Sequence, residues 1–401
     1  MSMRYKGGVI SATAPTVTPP VDGEGGSASG IWSLETVTQY EGDSGWPKPP
    51  LLKRLYTLGR NHVGQLGIGD TLNRSSPVQV GALTTWQGVG LGNSHMFGVK
   101  TDGTFWSWGN NSQGFLGQGD TINRSSPTQV GALTNWTEKI GAFSANFAIK
   151  TDGTLWAWGN NSAGVLGLGD TTNRSSPVQV GSRTYWTSVS TVGQTVAIGN
   201  SNRLYAWGYN IYGGLGQGNT TDRSSPVQVG SLSNWAKASA GAGFVVAIKT
   251  DGTMWSWGNN SLGRLGQNNT TNYSSPVQVG ALTNWEEIYC GLEHCLAVKT
   301  DGTLWAWGKN TYGNLGDGTT TNRSSPVQIG ALSSWSKVTA SNDSSYAIKT
   351  DGTVWAWGIG SNGQLGQNNA ANYSSPVQIG ALTNWYRIGS GGAFFSGVTG
   401  T

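Results

Sequence analysis

The sequence repeats itself with a period of about fifty residues, and this period constrains the fold more than any other feature. The tripeptide Ser-Ser-Pro occurs seven times, and a tryptophan follows each copy at a constant distance. Repeats built from helix pairs are shorter, at about 33 to 47 residues, whereas four short strands per repeat are typical of a propeller blade. The tripeptides begin at Ser75, Ser125, Ser175, Ser224, Ser274, Ser324 and Ser374, and the tryptophans are Trp86, Trp136, Trp186, Trp235, Trp285, Trp335 and Trp385.

Local patterns within each copy indicate strands. Between Ala148 and Gly159, two β-prone runs flank an Asp-Gly pair, which is the strongest two-residue signal for a β-hairpin. A Trp-x-Trp-Gly motif follows the turn in five copies, and a period of two places both indoles on one face of a strand. We therefore expect these tryptophans to form the core between blades. The Asp of the repeated turn is explained by turn chemistry, since each copy offers one carboxylate and calcium requires six to eight oxygens.

The two ends of the repeat region predict how the propeller closes. The last copy ends after Phe394 to Val398 without its Trp-x-Trp-Gly strand, and a matching strand, Leu55 to Gly59, stands before the first copy. Pairing these two strands would complete a seventh blade and leave no open edge between the first and last repeats. The sequence therefore predicts an all-β, seven-bladed propeller over residues 51–401, preceded by an extended arm over residues 1–50.

The repeat also resembles that of a known family. The pattern WxWGxNxxGxLGxGD, followed by SSPxxV, a tryptophan and a turn of the form A.K.DG, is similar to the regulator of chromosome condensation repeat. The resemblance implies seven-bladed propellers, and the segment Cys290 to His294 resembles that family's strand-turn-strand unit. Cys290 and Cys295 flank a four-residue turn, where cross-strand cysteines could oxidise, but we expect two buried thiols because free cysteine is among the most buried residue types.

The arm has a different character. It contains apolar residues that could form one side of a short helix, and so short a helix is marginal in isolation. One interpretation is that the segment packs on its own propeller, and the other is that it docks into a larger assembly. The arm is similar to N-terminal leaders of structural proteins from tailed phages. The residues of this docking segment are Ile31, Trp32, Leu34, Val37, Tyr40 and Trp46.

Motifs of catalysis are not found in the sequence. The signatures GxSxG, GxxxxGK[ST], HExxH and CxxC are all absent, and the three histidines His62, His95 and His294 fall in three different copies. We therefore expect no enzyme, no cofactor and no metal site. The net charge of +4 offers little phosphate neutralisation, and no apolar run approaches the roughly 20 residues of a membrane span. Nucleic acid binding and membrane insertion are accordingly not expected.

One loop position carries a repeated charge, directly before the Ser-Ser-Pro tripeptide. The simpler interpretation, which the sequence favours, is a set of solvated charges copied by duplication. The functional interpretation is a multivalent ring that contacts an anionic or sugar-bearing surface. Five lysines before the turn, Lys100, Lys150, Lys249, Lys299 and Lys349, would form a second ring. The loop residues are Arg74, Arg124, Arg174, Arg223, Tyr273, Arg323 and Tyr373.

Together these features favour a non-enzymatic structural or interaction protein. We expect a phage virion component (a fibre, decoration or receptor-binding protein) on the particle surface. Residues 1–50 would bind other virion proteins, and the propeller would face a host cell-surface glycan. The alternative, which the family resemblance implies, is an intracellular regulator: a small-GTPase exchange factor or a chromatin binder. That activity would need a distinctive, asymmetric face, and the near-identical copies argue against one.

Overall fold

The computed structural model describes residues 52–400, which form seven antiparallel sheets of four strands each. Two short 3-10 turns, Ser162–Gly164 and Asn200–Asn202, are the helical elements of this part of the chain. In chain order the strands are β1 (Arg54–Gly59), β2 (Arg74–Gln79), β3 (Trp86–Leu91), β4 (His95–Lys100), β5 (Phe105–Gly109), β6 (Arg124–Gln129), β7 (Trp136–Ala142), β8 (Ala145–Lys150), β9 (Leu155–Gly159), β10 (Arg174–Gln179), β11 (Ser188–Thr191), β12 (Gln194–Ile198), β13 (Leu204–Gly208), β14 (Arg223–Gln228), β15 (Trp235–Gly241), β16 (Phe244–Lys249), β17 (Met254–Gly258), β18 (Tyr273–Gln278), β19 (Trp285–Cys290), β20 (His294–Lys299), β21 (Leu304–Gly308), β22 (Arg323–Gln328), β23 (Trp335–Ala340), β24 (Ser344–Lys349), β25 (Val354–Gly358), β26 (Tyr373–Gln378), β27 (Trp385–Ser390) and β28 (Phe394–Thr399).

The propeller closes as the sequence predicts. Six sheets consist of four consecutive strands, and the seventh has the order β27-β28-β1-β2, so that both ends of the repeat region share one blade. Leu55 pairs with Val398, and Gly59 pairs with Phe394. The prediction of a seven-bladed all-β propeller with this terminal pairing is confirmed. The predicted arm and its docking segment lie outside the described residues, so the division at residue 50 stays a prediction.

Each blade has the same radial order. The first strands of neighbouring blades contact one another around the ring, including β27 with β3, and their ends surround a cavity of about 40 Å³ on the axis. The strands that begin before Ser-Ser-Pro are therefore the outermost ones. Each of them carries a proline, and proline is tolerated at a sheet edge because it removes a hydrogen-bond donor there. These prolines are Pro77, Pro127, Pro177, Pro226, Pro276, Pro326 and Pro376.

The core lies between the blades rather than within them. One cluster, for example, joins Val196, Leu204 and Ala206 of one blade to Trp235 and Trp257 of the next. The second tryptophan of each Trp-x-Trp-Gly motif is fully buried, as predicted, whereas the first is only half-buried. The first indole packs against these same clusters as a partly buried member.

Long ordered loops join the third and fourth strands of each blade and lock it to its neighbour. In one loop the Oδ1 atom of Asn111 accepts a hydrogen bond from the backbone of Leu116 at 2.8 Å. At Gly114 the backbone φ is +75°, and a Cβ there would lie 2.5 Å from the Cα of Ser175 in the next blade. The backbone N–H of Gly119 donates to the Ser175 carbonyl at 2.8 Å. Close contact between the loop and the next blade thus explains why glycine and serine recur at these positions.

Candidate binding sites between the blades

The predicted arginine ring is largely neutralised inside its own loops. The guanidinium of Arg124 lies 2.7 Å from the carboxylate of Asp120, four residues earlier, and Arg74 and Arg174 make the same ion pair at 2.5 and 2.6 Å. The backbone N–H of Ile122 and the Arg124 guanidinium both hold the pKa of Asp120 below its ordinary value. These arginines therefore stabilise their loops, which agrees with the simpler interpretation of the ring.

The remaining members of this ring follow the same logic with other partners. Arg323 pairs with Asp317 at 2.8 Å. Where asparagine replaces the loop aspartate, tyrosine replaces arginine in two copies: the amides of Asn269 and Asn369 donate to the hydroxyls of Tyr273 and Tyr373 at 3.1 and 3.0 Å. Arg223, which follows Asn219 instead of an aspartate, makes no ion pair within residues 52–400. A ligand role for the ring stays a prediction.

The lysine ring has a different environment. The ammonium of Lys100 lies 3.4 Å from the ring centroid of Trp106 and 5.4 Å from that of Trp86, so two indoles hold one cation. Cation–π contacts of this kind contribute about 0.5–2 kcal/mol, depending on how strongly the site is desolvated. Burial lowers the pKa of Lys100, and Asp102 partly offsets that effect. The same arrangement recurs at Lys150, Lys249, Lys299 and Lys349, at 3.6 to 3.7 Å from Trp156, Trp255, Trp305 and Trp355.

The hairpin turn orients the outer indole of each pair. Asp102 accepts hydrogen bonds at Oδ1 from the backbone and the hydroxyl of Thr104, at 2.9 and 2.7 Å. The Thr104 hydroxyl in turn accepts the indole N–H of Trp106 at 2.8 Å. This chain of bonds explains the turn aspartate without calcium. Within residues 52–400 no group of three or more His, Cys, Asp or Glu side chains is placed to hold a metal ion.

A groove opens beside three of these aromatic pairs and at the equivalent place in the fourth copy. The groove next to Trp106 has a volume of about 440 Å³, and equivalent grooves beside Trp186, Trp285 and Trp335 measure about 470, 350 and 340 Å³. Each groove lies between the outermost strand of one blade and the Trp-x-Trp-Gly strand of the next. Pockets of about 300 to 1,000 Å³ are the usual size for small ligands. The repeat therefore creates a series of equivalent surface sites around the ring.

The fourth copy builds its groove from different residues. Gly199 stands where the other copies have lysine, and Tyr205 stands where they have the first tryptophan. Arg183, in a connection that carries an exposed leucine in the other copies, places its guanidinium carbon 4.8 Å from the Tyr205 ring centroid. A cation over an aromatic ring is thus present in this groove too, supplied from another position of the chain.

Sequence reasoning missed a charged cluster that breaks the symmetry of the ring. Glu293 lies 2.8 Å from Arg264 and 2.9 Å from Lys309, and Lys309 also contacts Asp343 at 3.1 Å. Burial opposes ionisation of Glu293, but Lys309 and Arg264 outweigh it and lower its pKa. The members are 16 to 79 residues apart in sequence, although the sequence does show Glu293 at the repeat position where Ser94 and Ser144 stand in other copies. The cluster is internally paired and carries no surplus charge.

The three histidines do not form a common site. His95 bonds to Asn146 at 2.7 Å and His294 to Ser345 at 2.9 Å, each across a blade boundary, and His62 lies 3.2 Å from Gln65. Burial lowers the pKa of both His95 and His294 to about 4, so both are neutral at physiological pH.

The cysteine prediction is wrong. Cys290 and Cys295 form a disulfide between β19 and β20, where they face each other in the sheet register. Two adjacent cross-strand positions bring the sulfurs within bonding reach, which the alternative of oxidation had anticipated. The residues described in the structure include no helix long and apolar enough for a membrane span.

Comparisons with known proteins agree with this architecture. Residues 144–397 match the RCC1-like domain, and residues 54–99 and 102–142 match the regulator of chromosome condensation (RCC1) repeat. The fold and its repeated grooves define a seven-bladed repeat propeller. The chain belongs to the family of RCC1-like domain proteins. No curated protein matched the sequence.

Two solved structures are similar in fold. Prp20p from Saccharomyces cerevisiae has 19% sequence identity and a TM-score of 0.76, with 86% of this chain and 91% of that chain covered. Human WBSCR16 has 15% identity and the same TM-score, with 86% and 98% covered. At these identities the likeness shows the fold alone.

Proposed function

We propose that this chain is a non-enzymatic binding protein that uses its propeller as a rigid, multivalent surface. The observation that carries the proposal is the repetition of one groove at four equivalent positions around the ring, three of them lined by the outer tryptophan. Equivalent sites on one rigid body favour a partner that is itself repetitive. Each contact can then be weak, because the second and later contacts form at high effective concentration.

The architecture supports such a role mechanically. The shared blade of β27, β28, β1 and β2 closes the ring, and loop bonds such as that from Gly119 to Ser175 join neighbouring blades. The grooves are therefore held at fixed spacing before a partner arrives. Pre-organised sites lose less conformational entropy on binding than mobile ones do.

The finer part of the proposal is a location on a phage particle. It rests on the likeness of residues 1–50 to leaders of tailed-phage structural proteins, and in it the docking segment around Trp32 binds another virion protein. The test deletes residues 1–50 from the chain and measures incorporation into particles by mass spectrometry. Loss of incorporation with an intact propeller is expected. Retained incorporation would overturn the anchoring role.

The second candidate is an intracellular regulator, and the comparisons favour it over the virion location. The chain belongs to the RCC1-like family, and Prp20p, which has the same fold, was studied for its binding to Gsp1p and histones. The charged cluster of Arg264, Glu293, Lys309 and Asp343 supplies some of the asymmetry that such a partner requires.

A direct assay separates the two candidates. The full chain is mixed with Gsp1p loaded with a fluorescent GDP, and nucleotide release is followed with Prp20p as the positive control. Nucleosome binding is measured in parallel. Acceleration of release, or saturable nucleosome binding, supports the regulator. Neither effect is expected of a protein that binds a cell or particle surface, for which binding to intact cells is the matching assay.

A further inference from the structure

Two of the measured grooves are lined by a buried lysine, Lys100 and Lys349, that forms no ion pair in the described part of the chain, and a third is lined by Trp305, the indole over which Lys299 lies. Lys100, Lys150, Lys249, Lys299 and Lys349 expose between 6 and 9% of their surface. Within residues 52–400 none of them forms an ion pair, in contrast to Arg74, Arg124, Arg174 and Arg323. The nearby turn aspartates bind their own turns instead. A desolvated charge that lacks a partner attracts an anion more strongly than a solvated one does.

The walls of the groove are suited to a sugar ring. Beside Lys100 they comprise the half-buried Trp106 and Pro127, which offer a flat apolar surface. Gln79 lies on the opposite wall, and its Nε2 atom donates to the carbonyl oxygen of Gly81 at 2.9 Å. This bond fixes the amide so that its oxygen is available to accept a hydroxyl proton.

The fourth copy strengthens the argument. There the lysine is replaced by Gly199, yet Arg183 brings a cation over Tyr205 from a different loop. Duplication alone would copy the lysine or lose the cation. The fourth copy thus places a cation beside an aromatic ring from another position of the chain.

We propose that each of these inter-blade grooves binds one acidic sugar unit, a hexose-sized ring that carries a carboxylate or a phosphate. The anion contacts the lysine ammonium, or Arg183 in the fourth copy, and the sugar ring lies against the outer aromatic residue. This inference rests on the proposed function and names its ligand class: an acidic polysaccharide, on which several units of one chain or of one surface occupy several grooves at once.

Nucleic acid fits the grooves less well. The whole chain carries only +4, and each of these lysines stands in a blade of its own, so they do not form a row of adjacent cations. A strand with one phosphate per nucleotide needs several uncompensated cations in a row. A single anionic group on a sugar ring needs only one such cation.

The experiment is calorimetric titration of the full chain with trigalacturonate, with a neutral galactose trisaccharide of the same length and with oligo-dT. A phosphorylated hexose oligomer distinguishes phosphate from carboxylate. We expect binding of the carboxylated or the phosphorylated sugar, with quenching of tryptophan fluorescence, and at least tenfold weaker binding of the neutral sugar. Equal binding of the neutral sugar, or tighter binding of oligo-dT, would overturn the proposal.

Variants locate the site. K100M/K299M/K349M is expected to weaken acidic sugar binding at least tenfold, and the control R60M/K139M/K337M removes the same charge from exposed positions outside the grooves. A twofold change or less is expected for the control. If both variants lost acidic sugar binding equally, the effect would be explained by the overall charge of the protein, and the groove assignment would be contradicted.

A second pair of variants keeps the test decisive if the triple variant unfolds. K100R retains the charge and should bind the acidic sugar within about threefold of the natural chain, whereas K100M should remove one site from the measured stoichiometry. Unchanged stoichiometry in K100M would overturn the proposal. If the protein binds cells but binds no acidic sugar, the proposed ligand class is wrong, whereas the proposed multivalent binding function still stands.

Discussion

The indole N–H of Trp158 donates a hydrogen bond to the carbonyl oxygen of Phe115 at 2.9 Å, from one blade to the loop of the preceding blade. The same bond recurs from Trp207 to Val165 and from Trp257 to Gly214, at 2.8 and 2.9 Å. The buried tryptophans therefore do more than fill space. Each of these three donates to a loop carbonyl of the preceding blade and so helps to fix the position of that loop.

Replacing Trp158 by phenylalanine should destabilise the propeller by about 1–3 kcal/mol, because the Phe115 carbonyl keeps only the Asn146 amide as a donor and the smaller ring leaves a void in a buried site. The midpoint of urea unfolding gives the change. Trp106→Phe is the matched control, since its N–H serves only the local turn through Thr104 and the indole is half-buried. A loss in the control as large as in the Trp158 variant would contradict the role given to the inter-blade bond.

Phe395 tests the closure of the ring. It is fully buried in β28 and packs against Leu58, Tyr346 and Trp385 in the shared blade and its neighbour. Phe395→Ala should cost about 3–5 kcal/mol of stability. Leu382→Ala, at a side chain with 40% exposure, should change the melting temperature by little. Similar melting temperatures for the two variants would mean that the shared blade contributes little to the fold.

Acid should destabilise the protein through two buried histidines. Burial lowers the folded-state pKa of His95 and His294 to about 4, whereas in the unfolded chain it is about 6.5. The unfolded state therefore binds more protons between these values, and stability falls as the pH drops from about 6.5 to about 4. At pH 5 the loss is about 2 kcal/mol per histidine.

The measurement compares urea unfolding at pH 7.5 and pH 5 for the natural chain and for H95Q/H294Q. Glutamine retains a polar group toward Asn146 and Ser345 but does not titrate in this range. The double variant should lose much less stability than the natural chain between the two pH values. An identical pH dependence in both proteins would refute the assignment to these histidines.

The disulfide predicts how many free thiols the unreduced protein contains. The chain has two cysteines, and both are paired, so the denatured protein should react with no thiol reagent until it is reduced. The bond closes a loop across only five positions of sequence, for which chain-entropy arguments give about 2 kcal/mol. Cys290→Ser with Cys295→Ser should lower stability by no more than this amount. Two reactive thiols in the unreduced, denatured protein would restore the thiol interpretation made from the sequence.

The loop ion pairs predict a weak coupling and a negative binding result. A double-mutant cycle on Asp120 and Arg124 should give about 0.2–1 kcal/mol, reduced by added salt, because the pair is partly exposed. Changing Arg124, Arg223 and Arg323, which line none of the measured grooves, to alanine should leave cell or glycan binding largely unchanged. A loss of binding much larger than the loss of stability would assign the ligand role to the arginine ring after all.

Much of the fold was predictable because the repeat supplies it directly. The constant period fixes the number of blades, and the incomplete last copy together with Leu55 to Gly59 fixes how they close. The burial of Trp158 follows from its strand position. The half-buried state of Trp106 could not be predicted, since a period of two assigns a residue to one face of the strand but does not give its exposure.

The candidate sites were harder to predict because they depend on contacts between copies. Arg124 stands four residues from Asp120, so the ion pair that neutralises it could have been predicted from the local sequence. The substitution of Arg183 for a missing lysine requires the fold, because Arg183 and Tyr205 meet across 22 positions of sequence. The ion pairs from Glu293 to Arg264 and from Lys309 to Asp343 likewise join loops of neighbouring blades, which only the ring brings together.

The prolines on the seven outermost strands have a consequence for how densely such rings can be arrayed. Strands such as Arg124–Gln129, with Pro127 in the middle, present an interrupted row of backbone donors to solvent. The outermost strands of neighbouring molecules would therefore not pair with each other to form continuous sheets. Crowded copies would remain separate bodies, each with its grooves open on the outer wall.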